Sequence, residues 1–227
     1  MISTDSIRTA ISKPFVPARE KSRRAAQSSE PNILTDIYQE ENNIVIWQRE
    51  ISATLKNSVN ELLISNPNIQ TTINVTPQSA FSNLNESLGT SQNELSENIA
   101  ELVDMFCCLF ELKRTGLRLT ALDRAMCPRF HVDRVPCRLL TTFQGAATEW
   151  LPHEFVNRTK LGPGSNGQSD RKSGLFQSQH DIQQLKCGDV ALLKGELWEG
   201  NENAGLVHRS PALSAGERRL LLTLDFS

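Results

Sequence analysis

The chain has 227 residues, of which 38% are hydrophobic, and its formal net charge at pH 7 is -2. These values are typical of one ordinary globular domain, and no basic stripe with interleaved aromatic residues indicates a nucleic-acid-binding protein. No stretch approaches the ~18 apolar residues that a membrane helix requires. The five cysteines, with Cys107 and Cys108 adjacent, argue against a disulfide framework. We therefore expect a cytoplasmic protein with neither a nucleic-acid partner nor a membrane partner.

The first part of the chain is predicted to hold a tail followed by helices. Residues 1–31 are rich in Ser and Arg and lack the apolar core of a secretory signal, so we predict a disordered basic arm. Residues 32–116 are predicted to form a helical N-terminal layer. In it, Ile51, Leu55 and Val59 follow helical spacing. Residues 66–92 are rich in Asn, Ser, Thr and Pro, which indicates a loop with at most a short helix.

The strongest helical pattern is "SQNELSENIAELVDMFCCLFELKRTG", residues 91–116. Ser91 and Glu94 fit a capping box, and Gly116 is a stop signal. The apolar residues recur at steps of three and four: Ile99, Leu102, Val103, Phe106, Leu109 and Phe110. We interpret this stripe as a face packed in the core and not as a cofactor site, because amphipathic helices commonly bury one apolar face against the core.

The character of the sequence changes after Gly116. Short β-rich runs such as "CRLLTTF" and "DVALLKG" are separated by Gly, Pro and Asn, which predicts an antiparallel sandwich or barrel over residues 117–227. Residues 152–187 include a polar, Gly-rich loop. Its "GPGSNG" matches the G-x-G-x-x-G dinucleotide-binding fingerprint. No buried strand precedes it and no amphipathic helix follows it, so we interpret it as a loop and not as a dinucleotide site. The fold class is therefore α+β, with 32–116 and 117–227 forming one compact unit.

Two cysteines and a histidine in "CPRFHVDRVPC", residues 127–137, raise the possibility of a zinc site. Cys127, His131 and Cys137 are the residue types that zinc prefers. However, the short C-x₂₋₄-C pair of structural zinc sites is missing, and a proline adjoins each cysteine. We interpret these cysteines as unreactive packing residues.

His131 and Asp133 form a second candidate metal site in the same segment. Residues i and i+2 of a strand project from one face, so both side chains reach a single ion. A 2-His-1-carboxylate site needs one further histidine. His153, His180 and His208 remain, and His208 ends a short apolar run ten residues before Arg218.

This pattern resembles the iron(II)/2-oxoglutarate dioxygenases, in which an H-x-D pair, a distal His and a basic residue follow in this order. "GDVALLKG" at 188–195 and "HRSPALSAGERRLLLTLDF" at 208–226 are similar to the corresponding segments of prolyl-hydroxylase-like enzymes. The similarity covers residues 117–227. It implies a double-stranded β-helix core, of the jelly-roll or cupin-like kind, with N-terminal helices packed on it. The chain also resembles an uncharacterised bacterial family that carries "IWQR", "CPRFHVD" and "HRSP".

The resemblance implies roles for individual residues. His131, Asp133 and His208 would hold Fe(II), and Arg218 would bind the distal carboxylate of 2-oxoglutarate. Arg219, on the opposite face of the same strand, competes for that role. Two residues on the strand after H-x-D, Arg138 and Thr141, would line the cofactor pocket.

We therefore expect a 2-oxoglutarate-dependent oxygenase that hydroxylates an unknown small-molecule or protein substrate. The alternative is a cupin-like metal-binding or sensing protein that holds zinc or iron at the same three residues. A third interpretation is an interaction domain whose barrel has lost its chemistry. The sequence does not indicate an oligomeric state.

Overall fold

Residues 22–227 are described by a computed structural model. The strands in this range are β1 Arg24–Ser28, β2 Asn42–Trp47, β3 Gln70–Val75, β4 Thr115–Leu122, β5 Cys137–Gln144, β6 Glu149–Leu151, β7 Gln183–Gln184, β8 Val190–Lys194, β9 Val207–Arg209 and β10 Arg219–Phe226. The α-helices are α1 Ala53–Ser65, α2 Pro77–Leu88, α3 Asn93–Leu109 and α4 Asp170–Ser173. Within residues 22–227 every helix is too short or too polar to cross a membrane.

The strands form two sheets. The large sheet has seven strands in the order β1-β2-β8-β5-β10-β4-β3, and the small sheet has three in the order β7-β6-β9. All neighbouring pairs are antiparallel except β1 and β2. His131 adds an isolated bridge to His208 of β9, so it extends the small sheet by one residue.

From β4 onward the chain alternates between the sheets. It passes from β4 in the large sheet to His131 beside the small one, and then to β5, back to β6 and β7, and on to β8, β9 and β10. As a result β10, the last strand, lies between β4 and β5. This route places the ends of many short strands around the space between the sheets.

The large sheet separates two apolar cores. Its face with Leu220, Leu222 and Leu224 packs on α1, α2 and α3. Its opposite face meets the small sheet, where Leu140 and Leu193 pack with Trp150. The observed architecture is a mixed α and β fold with one large sheet, which agrees with the predicted fold class.

Local signals account for the starts of the first two helices. The hydroxyl of Ser52 accepts a 3.0 Å hydrogen bond from the Leu55 amide at the start of α1. Thr76 and Ser79 form a capping box at the start of α2, and Pro77 occupies its first turn, where a missing amide hydrogen costs nothing. The apolar stripe of α3 is buried as predicted, with Ile99 and Phe106 almost fully enclosed.

Several predictions for the N-terminal half are wrong. Residues 24–28 form β1, although they were assigned to the arm, because their backbone pairs in parallel with β2. The arm prediction for residues 1–21 lies outside the described residues. Residues 66–92 hold the short helix that the prediction allowed, as α2, but also β3 in place of a loop, and the layer 32–116 contributes β2 to the sheet as well.

The predicted capping box of α3 is also wrong. The helix begins at Asn93, and the residue before it makes no side-chain cap. The Glu94 carboxylate instead accepts hydrogen bonds from Ser52 and Thr54, which tie α3 to the start of α1.

Candidate metal centre and cleft

His131 and His208 are paired through their backbones. Each amide donates to the carbonyl of the other residue at 3.0 Å, and the ring centroids lie 4.6 Å apart. The predicted strand around H-x-D is therefore reduced to this one bridge, and Asp133 lies in the irregular segment that follows it. The pairing brings together two imidazoles that are 77 residues apart in the sequence.

The position of Asp133 depends on a close approach to the end of β8. The Glu196 amide donates to the Asp133 carbonyl at 2.9 Å. At Gly195, an added Cβ would lie 2.1 Å from the carbonyl oxygen of Val135 and 2.7 Å from that of Asp133. Only glycine fits here, so Gly195 allows the H-V-D segment to lie against β8.

The three predicted ligands meet at one point. The possible ligand atoms of His131, Asp133 and His208 all lie within 4.8 Å of one another. The Nε2 atoms of His131 and His208 lie 3.6 Å and 3.4 Å from the two Asp133 carboxylate oxygens. This is the only such group of metal-ligating side chains in residues 22–227.

The other ring nitrogen of each histidine faces a backbone carbonyl. His131 Nδ1 lies 2.9 Å from the Arg129 oxygen, and His208 Nδ1 lies 3.3 Å from the Leu206 oxygen. Because a carbonyl only accepts hydrogen bonds, Nδ1 carries the hydrogen in each case. With a metal ion bound, Nε2 would then present its lone pair to the ion, which is the arrangement of metal-binding histidines. Without an ion, a protonated ring instead carries a second hydrogen on Nε2 and donates it to Asp133.

The local electrostatics keep Asp133 anionic. Burial by itself would raise the pKa of Asp133, but hydrogen bonds from His131 and His208, together with the charge of Arg138, hold it well below its ordinary value. The hydrogen bond to Asp133 raises the pKa of His131 against the effect of burial. An ionised carboxylate flanked by two imidazoles is a donor set that attracts a divalent cation.

Arg138 supports Asp133. Its Nη1 donates to Asp133 Oδ2 at 2.7 Å, while its Nε and Nη2 bind both carboxylate oxygens of Asp225 at 2.8 Å. Arg138 lines the same cleft as His131 and His208. Its guanidinium is nevertheless occupied by two carboxylates, so the prediction that it binds a cofactor does not fit its contacts.

Arg219 is buried in the same cleft without an acidic partner. It is 1% exposed, and its guanidinium donates to the hydroxyls of Thr142 (3.1 Å) and Thr148 (2.7 Å). No carboxylate in the described range forms an ion pair with it. Burial lowers the pKa of Arg219 to about 10. A buried cation without a counterion is costly, so this position favours an anionic ligand.

The preference for Arg218 over Arg219 is therefore corrected. Arg218 is absent from the cleft lining and donates to the carbonyl oxygen of Pro67 at 3.0 Å. The reason is the alternation of β10, since Leu220 shares the Arg218 face and packs toward the helices. At Gly145 (φ +87°) an added Cβ would lie 2.3 Å from the Arg218 carbonyl oxygen, so this glycine lets the β5 turn pass close to β10.

Thr141 also faces away from the cleft. It alternates with Leu139 and Phe143, which belong to the helix-side core, and it is fully buried there. The adjacent Thr142 lies on the other face of β5 and accepts hydrogen bonds from Arg219. Thr148 and Thr120, which also line the cleft, were missed because single threonines carry no sequence signal.

The remaining candidates lie apart from the triad. His153 and His180 occupy short 3₁₀ turns at His153–Phe155 and Gln179–Asp181 and contribute no ligand atom to it. Cys137 is fully buried, and burial raises the pKa of its thiol. Cys127 is exposed on the cleft wall, so the expectation of two packed cysteines holds for Cys137 alone.

Solved structures with a similar fold include two plant dioxygenases. One is dioxygenase for auxin oxidation 1 from Arabidopsis thaliana, a binary complex with 2-oxoglutarate (TM-score 0.50, 11% identity, 90% of this chain and 92% of that one). The other is the dioxygenase for auxin oxidation of rice (TM-score 0.51, 11% identity, 90% and 83%). At this identity the likeness shows the fold alone, and in fold the chain is similar to these dioxygenases.

The sequence comparisons give the family. No curated protein matches the chain. Residues 28–225 match the family described as protein of unknown function DUF1826, and the chain belongs to that family.

Proposed function

We propose that the protein is an iron(II)- and 2-oxoglutarate-dependent oxygenase that hydroxylates a substrate C–H bond. The observation that carries this proposal is a single cleft with two features. His131 and His208, which form a triad with Asp133, line it, and so does the buried guanidinium of Arg219, which has no acidic partner. The first feature suits a metal ion and the second suits the carboxylate of a co-substrate.

The donor set fits iron. Two neutral imidazoles and one ionised carboxylate are the ligands of the non-haem Fe(II) oxygenases, which leave coordination positions open. His131, Asp133 and His208 would hold the ion through Nε2, a carboxylate oxygen and Nε2. With O2 as the oxidant, the bound ion would support insertion of one oxygen atom into a C–H bond while 2-oxoglutarate is converted to succinate and CO2.

Arg219 would hold the distal carboxylate of 2-oxoglutarate. The planar fork of a guanidinium matches a carboxylate bidentately, and burial strengthens the attraction. Thr142 and Thr148 already fix the guanidinium through their hydroxyls. The Thr120 hydroxyl is buried on the cleft wall without a hydrogen-bond partner in the described structure, so it is free to bind the same carboxylate.

We also propose that residues 117–227 form a double-stranded β-helix. The alternation of successive strands between two facing sheets supports this, because jelly-roll folds are wound in that way. Residues 32–116 would complete the same compact unit, since β2 pairs with β8 and β3 pairs with β4.

The function is tested by 2-oxoglutarate turnover. The apoprotein is supplied with Fe(II), ascorbate and 2-oxoglutarate under air, and succinate is measured. We expect slow succinate formation without substrate, and its loss in His131→Ala and Asp133→Ala. Arg134→Gln, at an exposed position beside the triad, is the control. Full turnover by both alanine variants would refute the site.

Metal analysis distinguishes the alternative function. Elemental analysis of anaerobically purified protein is expected to find one equivalent of metal, which both alanine variants lose. Tightly bound zinc without any succinate formation would instead favour a cupin-like metal-binding or sensing protein. No metal binding at all would favour an interaction domain.

A further inference from the structure

We propose that the substrate is an organic anion whose carboxylate or phosphate is bound by Arg118. This inference rests on the proposed function, because it names the substrate class of the same cleft. It begins from the charge of the cleft wall.

The cleft wall is cationic. Its fourteen lining residues include four arginines and two histidines but no Asp or Glu: Arg118, Thr120, Met126, Cys127, His131, Arg138, Leu140, Thr148, His208, Arg209, Ser210, Arg219, Leu221 and Thr223. A cleft with charges of one sign concentrates ligands of the opposite sign. A ligand can pair only with those of the four guanidinium groups that the protein's own carboxylates leave free.

Two of the four are already neutralised by the protein. Arg138 binds the carboxylates of Asp133 and Asp225. Arg209 pairs with Glu149 at 2.6 Å and lies 3.5 Å from Asp170. These two arginines have structural partners and need no ligand.

Arg219 and Arg118 have no carboxylate partner within the described part of the chain. Arg219 is buried and is assigned above to the co-substrate. Arg118 is exposed and makes no side-chain hydrogen bond or ion pair with residues 22–227. One carboxylate on Arg219 therefore leaves a second unpaired guanidinium in the same cleft.

The sheet register separates the two positions. Arg219 lies opposite Leu122 of β4, whereas Arg118 lies opposite Thr223 of β10. Four residues along a strand correspond to about 13 Å. The backbones of the two arginines are therefore well separated, and we assign the two guanidinium groups to separate anions.

Arg118 lines the same cleft as His131 and His208. The row Leu140, Thr223 and Arg118 crosses three adjacent strands. Two residues further along β10 is Asp225, whose carboxylate holds Arg138 against Asp133. A molecule anchored at Arg118 would extend across Thr223 to reach the histidines in the same cleft.

The chemistry of this wall indicates the substrate class. A guanidinium fork binds carboxylate and phosphate oxygens bidentately. Met126 and Leu221 line the same cleft and offer apolar contacts to the remainder of the molecule. The expected substrate is a small organic acid or phosphate ester that carries an apolar portion.

Binding to zinc-loaded protein in the presence of 2-oxoglutarate tests the inference without turnover. The probes are phenylacetate and phenyl phosphate, compared with the neutral phenylacetamide and benzyl alcohol, and dissociation constants are measured by ligand-observed NMR. We expect both anions to bind at least about tenfold more tightly than the neutral probes, and Arg118→Gln to remove this preference. Arg114→Gln, at an exposed position outside the cleft, should retain it.

Each outcome decides the matter. Equal binding of acids and neutral probes, unchanged anion affinity in Arg118→Gln, or no binding of either anion would overturn the inference. The 2-oxoglutarate-induced rise in Tm is measured in the same samples and should persist in Arg118→Gln. If the wild type shows no such rise, the proposed function fails, whereas lost discrimination between the probes alone contradicts only the substrate class.

Discussion

Arg138 and Asp133 are joined by a 2.7 Å ion pair at the edge of the metal triad. The carboxylate oxygen that accepts this bond also faces His208, so the arginine fixes the orientation of the ligand. Asp225 holds the arginine from the other side through two 2.8 Å hydrogen bonds. Asp225 of β10 thereby supports Asp133, the candidate metal ligand in the segment before β5.

Arg138→Met is expected to weaken metal binding about 10–100-fold, which is the usual effect of removing a partner of a metal ligand. The ligands themselves remain, but Asp133 loses the bond that orients its carboxylate. Competition between the protein and a chromogenic chelator for zinc measures the change, and circular dichroism checks the fold. Arg134→Met should leave the affinity unaltered. Wild-type affinity in Arg138→Met would show that the ion pair has no role at the site.

Arg219→Met and Arg218→Met form a matched pair of neighbours. The first should abolish the rise in Tm that 2-oxoglutarate produces, whereas the second should retain it, because only Arg219 lines the cleft. Without 2-oxoglutarate, Arg219→Met should melt no lower than the wild type, since it removes a buried charge that lacks a counterion. Scanning fluorimetry gives both results. A retained ligand response in Arg219→Met would assign the carboxylate to another residue.

Gly195→Ala should weaken metal binding, although residue 195 offers no ligand. The added methyl would lie 2.1 Å from the Val135 oxygen, so the segment that carries Asp133 must move away from β8. Zinc affinity and the metal-induced rise in Tm report this displacement. Gly116→Ala is the control, because its added Cβ meets no atom closer than 3.5 Å. Equal metal affinity in both variants would mean that the segment relaxes without loss.

Lys194 predicts a particular pH dependence of stability. It is 1% exposed, and its Nζ donates to the Gln39 oxygen at 2.8 Å and lies 4.8 Å from the ring centroid of Trp198. Burial, with a contribution from Arg23, lowers the pKa of Lys194 from 10.5 to about 8. Between these values the unfolded chain binds more protons than the folded one, so the free energy of unfolding contributed by Lys194 rises with pH.

The comparison with Lys194→Met isolates this effect. The Tm of the wild type should rise relative to that of the variant between pH 8 and pH 9.5, and the gap should stay constant below pH 7. Exposed Lys113, replaced by Met in the same way, should show no trend. A gap that does not change with pH would mean that Lys194 has an ordinary pKa.

The sequence indicated which candidate ligands come together better than it indicated the residues around them. His131, Asp133 and His208 were found because their types and order resemble those of a known family. The choice between Arg218 and Arg219, and between Thr141 and Thr142, depends on which strand face meets the cleft. That is decided by the packing of Leu220 and Leu139 on the helices, and periodicity alone does not give the direction of a face.

The missed elements have physical reasons as well. β1 is short and polar, and its pairing with β2 was not visible in its own residues. The start of α2 did carry a signal, since Thr76, Pro77 and Ser79 are favoured residues for a helix start. The many Asn and Ser residues around them favoured a loop prediction instead.

The central position of β10 has a consequence for synthesis of the protein. Until this strand has left the ribosome, the large sheet remains in two parts, β3-β4 and β1-β2-β8-β5, each with an unpaired edge. Exposed edges of this kind invite pairing with other chains. β10 also carries Asp225 and Arg219, so a nascent chain halted before residue 219 would lack both. We expect such arrested chains to depend on chaperones and to bind metal only after release.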